Sequence, residues 1–381
     1  MRAPRATSEF LYSQLFGVGG IGTGLFFNLE GEHTLGRNES RAGQLLDVRD
    51  FCKLHIVAHY ISKLLGASAF PSAFQIFPVG KVGDDAAGRF VLSEMQQAGI
   101  NTHFITTVPD APTLLSICFQ YPDGTGGNIT TSNSAAAKLS EDDLSGPAEL
   151  FRSVGSRSVA LAVPEAPFTA RHKFLSLASS TGAFCAASFT CGEIEAARRS
   201  GLFQLLDLVA LNEFEASALL GCDFSIEEPQ KLVDECLSFI SKTSNHLRLI
   251  VTIGEQGAYG FVHGIWNHCP APRVPVKSTA GAGDALLAGV IAAITLGIPF
   301  IAPIPMPSKV EKSVATALEF GVLLASYTVT SPHSIHPDAS FEAIGQFARD
   351  SGISISRSLK RSFTPRRASA DNLHGGEVRQ P

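Results

Sequence analysis

The chain is short of charge. Of its 381 residues, 30 are Lys or Arg and 35 are Asp or Glu, so charged residues make up 17%, against about 25% in an average soluble domain. Basic residues are not in excess: the formal net charge is −5, which makes nucleic acid a poor default partner. A 45% hydrophobic content is too high for disorder, and the length is too great for a disulfide-stapled miniprotein. The seven cysteines (52, 118, 185, 191, 222, 236 and 269) contain no C-x-x-C pair. Their number is odd and most have apolar neighbours, as in Ile117-Cys118-Phe119, where a reduced thiol behaves as a small hydrophobe. That usage fits a reducing cytoplasm.

Two charge-free stretches fall short of membrane spans. Residues 10–29 hold Ser, Gln and five glycines, and prolines at 299, 303, 305 and 307 break residues 285–307. Neither resembles a cleaved leader, so no membrane partner is expected. No internal repeat occurs. A P-loop, G-x-x-x-x-G-K-[ST], is also missing, which removes the commonest kinase signature.

What is present is an alternation. Short apolar runs at 158–163, 182–187, 206–211 and 247–253 read as strands buried on both faces. Helical spacing separates them at about 167–179, 192–204, 213–220 and 228–243. This pattern implies a three-layer α/β/α fold around a mostly parallel sheet. Between 100 and 132 the texture changes: Thr102–Val108 and Thr113–Tyr121, with turn chemistry at Pro109-Asp-Ala-Pro112 and Pro122-Asp-Gly-Thr-Gly-Gly127, read as antiparallel strands. A small β insertion of this kind suits a lid over a cleft. The expected organisation is an N-terminal extension (1–15), one domain (16–350) and a basic, Ser-rich tail (351–381). From residue 356 onward the tail carries six basic and two acidic residues, +4, leaving −9 on the rest. Its composition reads as disordered.

The chemistry concentrates at Ser278-Thr-Ala-Gly-Ala-Gly-Asp284, between the strand-like Arg273-Val-Pro-Val-Lys277 and a helix opening at Ala285. A glycine turn at a helix start makes an anion site, where the N–H groups of Gly281, Ala282 and Gly283 converge on the positive end of the helix dipole. Asp284 then stands where a base could take a hydroxyl proton during attack on a γ-phosphate. Taken alone, Asp284 reads first as a helix N-cap.

The turn, followed by Ala288-Gly289, resembles the second signature of the ribokinase-like (PfkB) carbohydrate kinases. Three further segments occur in family order. Gly80-Lys-Val-Gly-Asp-Asp-Ala-Ala-Gly88 looks like G-x-V-G-x-D-x-x-G, Asn212-Glu-Phe-Glu215 like N-x-x-E, and Val251-Thr-Ile-Gly-Glu-Gln-Gly257 like the T-x-G-x-x-G nucleotide loop. The resemblance implies ATP-dependent phosphorylation of a sugar-like hydroxyl, with Asp284 as base and Gly281–Gly283 as anion hole. It implies ATP binding by Asn212, Glu215, Thr252, Gly254, Gly257 and Thr279, and Mg²⁺ held with ATP through Glu215, indirectly. On the acceptor side it points to Gly83, Asp85, Arg37, Asn38 and Lys53. The partners implied are ATP and a small hydroxylated substrate; a homodimer is left open.

Departures from the family fall at the acceptor end. The family's G-G-x-x-x-N helix is replaced by Asp50-Phe-Cys-Lys-Leu-His-Ile. No Asp ends the first strand, over Gly17–Phe27, and Ser278 stands where the family often has Asp, which leaves monovalent-cation dependence open. A nucleoside kinase of the same fold, or a weakly catalytic sugar- or nucleotide-binding regulator, is the alternative.

Other features carry competing readings. Asn212 and Glu215 also read as a strand-end turn and a solvated helix face, and Asp84 and Asp85 as caps of a helix from Ala86. Gly17-Val-Gly-Gly-Ile-Gly22 is a formal G-x-G-x-x-G, but the glycine-interrupted stretch from Thr23 to Gly31 is too short for the helix a dinucleotide fold needs. His55 and His59 have metal-ligand spacing without a third ligand. Arg37, Arg41, Arg49 and Lys53 make either a solvated loop or a grip on a phosphorylated or carboxylated acceptor.

Overall fold

The computed structural model describes residues 10–68, 73–123, 126–222, 229–303 and 313–363. Fifteen strands and eleven α-helices alternate along them. The first half runs β1 (Gln14–Val18), β2 (Gly22–Leu29), β3 (Gly43–Phe51), α1 (Lys53–Leu65), β4 (Gln75–Gly83), α2 (Ala86–Gln97), β5 (Ile105–Val108), β6 (Leu114–Gln120), β7 (Gly126–Thr130), α3 (Ser145–Val154), β8 (Ser158–Ala162) and α4 (Phe168–Ser180). The second half runs β9 (Phe184–Ser188), α5 (Cys191–Arg199), β10 (Leu208–Asn212), α6 (Glu213–Leu220), α7 (Pro229–Thr243), β11 (Arg248–Thr252), β12 (Ala258–Val262), β13 (Ile265–Cys269), α8 (Ala282–Thr295), β14 (Ser313–Val314), α9 (Ala317–Thr328), α10 (Phe341–Asp350), β15 (Ser354–Ile355) and α11 (Arg357–Phe363).

Nine strands form one sheet in the order β13-β12-β11-β10-β9-β8-β1-β4-β5, parallel from β5 through β11, with β12 and β13 added antiparallel. Every residue of β8 is buried, as the uninterrupted apolar run requires of a strand covered on both faces. One core lies between the sheet and α1, α2 and α8–α11, the other between the sheet and α3–α7. Helix α8 is apolar around nearly its whole circumference because it packs between α1 and α9. The α/β/α architecture and the central strands and helices match the sequence-based expectation. Among the described residues no helix is long and apolar enough to cross a membrane.

Four expectations differ from the structure. The lid sheet has the order β3-β2-β6-β7, antiparallel except for the parallel β2–β6 pair. Half of it therefore comes from residues 22–51, and β5, expected in the lid, pairs parallel with β4 in the main sheet. Residues 124–125 of the expected lid turn lie outside the described residues. The segment Arg273–Lys277 is not a strand. Residues 14 and 15, assigned to the extension, open the first sheet strand, and the Phe10 ring lies 5.8 Å from Phe74. The tail is ordered to residue 363: Leu359 is fully buried, and Phe363 stacks on Phe341 at 4.7 Å. A Leu–Phe pair four apart gives α11 one apolar stripe, which composition averages away. Residues 364–381 lie outside the described residues.

Candidate active site

Strand order reverses between β8 and β1, from which the chain winds outward on both sides. In an open parallel sheet such a reversal leaves a crevice at the carboxyl ends of the strands. Two adjoining clefts occupy that edge. The larger, about 840 Å³, is lined by the ends of β10 and β11 (Asn212, Thr252), by Gly254 and Gly257, and by the first turn of α8. The smaller, about 340 Å³, lies beneath the lid and includes Asp50, Lys53, Glu165 and Asp284. Thr279 lines both, so the turn before α8 is the wall they share.

That turn is shaped by Gly281, whose φ of 76° caps α8 in the left-handed region; an added Cβ would also meet the Ser334 carbonyl oxygen at 2.4 Å. The helix ladder begins with Ala285 N–H donating to Gly281 O at 2.8 Å, so the preceding N–H groups at Gly283 and Asp284 have no intrahelical acceptor. Ala282 N–H turns back on Thr279 O at 3.3 Å. At Gly283 an added Cβ would meet nothing within 4 Å. The fold does not require glycine there, and the open space suits an oxyanion drawn against the backbone.

Asp284 is buried, and its Oδ2 lies 3.8 Å from Lys53 Nζ. Burial raises its pKa; Lys53 opposes the rise and Asp50 adds to it. Lys53 opens α1, and its own pKa is raised, first by Asp284. Its backbone N–H donates to Glu165 Oε2 at 3.0 Å. Glu165, just beyond β8, has a φ of 72°, uncommon for a side chain of this size. Burial pushes its carboxyl up to about 7, against the pull of Lys53.

Asn212 and Glu215 form a reciprocal capping box on α6: Glu215 N–H donates to Asn212 Oδ1 at 2.8 Å, and Asn212 N–H to Glu215 Oε2 at 2.9 Å. Only Glu215 Oε1 stands outside the box. Burial raises the Glu215 pKa, while Asn212 N–H and Lys53 lower it. Thr252 Oγ1 donates to Leu211 O at 3.5 Å.

The structure thus brings Asn212, Thr252, Gly254, Gly257, Thr279, Ala282 and Gly283 to one cleft, and Lys53, Gly281 and Asp284 to the other. Gly83, Asp85, Arg37, Asn38 and Glu215 line neither. Asp85 caps α2, receiving Gly88 N–H at 2.7 Å and Thr113 N–H at 2.8 Å, and Gly83 N–H is held by Thr113 Oγ1. Arg37 and Asn38 sit in the exposed loop between β2 and β3. His55 and His59 are four apart on α1, with ring centroids 5.7 Å apart, and no group of three potential metal ligands occurs among the described residues. Asp50 and Glu165 escape sequence reasoning. The available signals were an acid directly after Pro164, just past a buried strand, and an Asp one residue before the end of the strand that leads into α1.

A mostly parallel α/β sheet, a β lid and a glycine-capped helix with an acid in its first turn, set where two clefts meet, define a small-molecule kinase of the ribokinase fold. Residues 57–340 match the family model for pfkB family carbohydrate kinase, and the chain belongs to that family. It is 26% identical over 292 residues to fructokinase-1 of Zea mays, covering 73% of this chain and 82% of that one. With ribokinase of Staphylococcus aureus (strain COL) it shares 23% over 254 residues, 66% and 75% of the two chains. Among solved structures, ribokinase of Cryptococcus neoformans var. grubii in complex with ADP superimposes with a TM-score of 0.70 at 20% identity, over 88% of this chain and 99% of that one. A nucleoside kinase of Burkholderia thailandensis in complex with inosine gives 0.65 at 18%, over 88% and 97%.

Proposed function

We propose that the protein transfers the γ-phosphoryl group of ATP to a hydroxyl of a sugar or sugar-like acceptor, with Asp284 as general base. One observation carries this: Asp284 and the open start of α8 stand at the wall shared by the two clefts. ATP occupies the larger cleft, its γ-phosphate against the Gly281–Gly283 turn, and the acceptor lies beneath the lid. Asp284 takes the hydroxyl proton as that oxygen bonds to the γ-phosphorus; the bond to the β–γ bridging oxygen breaks and ADP leaves. Burial makes Asp284 more basic than an exposed carboxylate, while Lys53 opposes that rise. The α8 N–H groups and Lys53 face the charge that develops on the transferred group.

The donor set also fits a magnesium ion held mainly by phosphates. Glu215 Oε1 is the oxygen of that carboxylate left outside the capping box, Glu213 and Glu255 line the nucleotide cleft, and no cluster of three or more protein ligands exists among the described residues. Mg²⁺ bound with ATP supplies neutralisation of phosphate charge there. An odd number of cysteines with no C-x-x-C pair suits a reducing, cytoplasmic setting. This chemistry needs neither nucleic acid nor a membrane, and it does not depend on a homodimer.

Asp284→Asn tests the assignment. Turnover is expected to fall by roughly 10²–10⁴-fold in an ADP-release assay with sugars suggested by the relatives' names, while calorimetry shows ATP affinity kept. Near-normal turnover in this variant would refute Asp284 as base.

A further inference from the structure

The lid edge of the acceptor cleft holds a buried carboxylate that the mechanism leaves without a task. Asp50 lies on β3 opposite Gly24 of β2 and is 7% exposed. Its carboxylate lies across Gly24 so closely that an added Cβ there would stand 1.9 Å from Asp50 Oδ2. A glycine within a strand gives up packing and backbone entropy, and here it makes room for an acid at the cleft wall. Asp50 Oδ2 also receives the Cys118 thiol from the neighbouring lid strand at 3.4 Å.

The charge around the cleft is lopsided. Asp50, Glu165 and Asp284 line it against a single cation, Lys53. The arginines that sequence reasoning offered as a grip on a phosphorylated acceptor are engaged or placed elsewhere. Arg41 Nε is held by Glu39 at 2.8 Å, Arg49 reaches Glu94 at 3.4 Å, and Arg37 is exposed in the β2–β3 loop. Carboxylates are acceptors only, with several lone pairs to receive hydroxyl protons, and they repel a second anion in a partly buried site.

We propose that Asp50 is an acceptor-binding residue that selects an uncharged polyhydroxy substrate, a sugar or polyol, over its phosphate ester. This rests on the kinase reading and adds to it the charge class of the substrate. Asp50 receives hydroxyl hydrogen bonds from the acceptor on the lid side of the cleft, and its charge opposes entry of a phosphate group. Burial raises the Asp50 pKa, while Ser334, Cys118 and Phe51 N–H pull it down and favour the ionised form.

The test is ADP release by the full chain with free sugars and polyols against their monophosphate esters. The wild type is expected to show a kcat/KM at least 100-fold higher for a free sugar than for its ester. Asp50→Asn should raise KM for the free sugar by about 10–100-fold with a smaller change in kcat and an unchanged KM for ATP. It should also narrow the sugar-to-ester ratio, because the repelling charge is gone. A purely structural Asp50 would lower both substrates together and leave that ratio unmoved. Ser334→Ala removes a hydroxyl that receives Phe51 N–H and also supports the ionised Asp50, yet keeps the carboxylate itself, so the ratio should move far less than in Asp50→Asn. Preference for phosphate esters, or an unchanged ratio in Asp50→Asn, overturns the proposal while leaving the kinase assignment standing. If ATP binds but no acceptor of either class releases ADP, the kinase reading itself fails, and this inference with it.

Discussion

Lys53 is the one cation lining the acceptor cleft among the described residues, and it opposes the rise that burial imposes on the Asp284 pKa. Replacing it should therefore move a titration as well as a rate. In Lys53→Met the Asp284 pKa rises further, so the acid limb of the kcat/KM profile shifts to higher pH. The loss of activity is larger at pH 6 than at pH 8. A profile lowered uniformly across pH would show that Lys53 does not set the charge of Asp284. At this scale the residues that gather at the larger cleft and at the turn before α8 were legible because they lie in short, contiguous motifs with fixed spacing. Asp50 and Glu165 were not: they come from β3 and the loop after β8, and only the closed sheet brings residues 50, 165 and 284 to one cleft. Asp85 stood in a recognisable motif, yet its carboxylate is spent on Gly88 and Thr113.

Among the elements, α8 separates stability from function. The space around Gly283 is open and its backbone is helical, so Gly283→Ala should gain up to about 1 kcal/mol of stability from reduced chain entropy. The same methyl group would stand in the oxyanion's place. A higher melting temperature together with a several-fold or greater loss of kcat/KM for ATP is expected, from thermal melts and steady-state kinetics on one preparation. An active, stabilised variant would mean that no oxygen approaches the backbone there. Elements were legible where periodicity was unbroken, as in β8 to β11 and α4 to α7. The lid was half missed because β2 pairs in parallel with β6, some ninety residues away, and no local signal announces such a pairing. Helix α11 was missed because its seven residues carry three basic side chains over a two-residue apolar stripe.

At the scale of the whole molecule, α1 carries an unusual burden into the first core. His55 is fully buried with neither ring nitrogen partnered among the described residues, and Nδ1 of His59 is in the same position. Burial, together with His59 facing His55 and Lys63 facing His59, holds both pKa values down, His59 to about 4. A folded pKa below the unfolded value of 6.5 means the unfolded chain binds protons first, so stability is present above pH 6.5 and lost as pH falls below it. The buried carboxylates work in the opposite sense: Glu165, raised to about 7, favours the folded state at low pH and loses that contribution as pH rises from 4.5. The comparison must therefore be between variants. His55→Leu/His59→Leu should gain on the wild type by about 1 kcal/mol per histidine between pH 7.5 and 5.5 in urea unfolding. A constant difference across that range would rule out the coupling. Fold class was legible because strand burial and connection length constrain it; which helices share a core was not, since residues far apart in sequence bring α1 against α8.

The two clefts draw on different stretches of chain. Apart from the turn before α8 and Asp284 in that helix's first turn, everything lining the acceptor side lies at or before residue 165, and everything lining the nucleotide side lies at or after residue 212. The fold is thus divided like a tool with an interchangeable head. The N-terminal half can drift in sequence without touching any residue that lines the nucleotide side. A graft of another family member's residues up to the end of β8 should carry acceptor preference with it and leave nucleotide affinity behind.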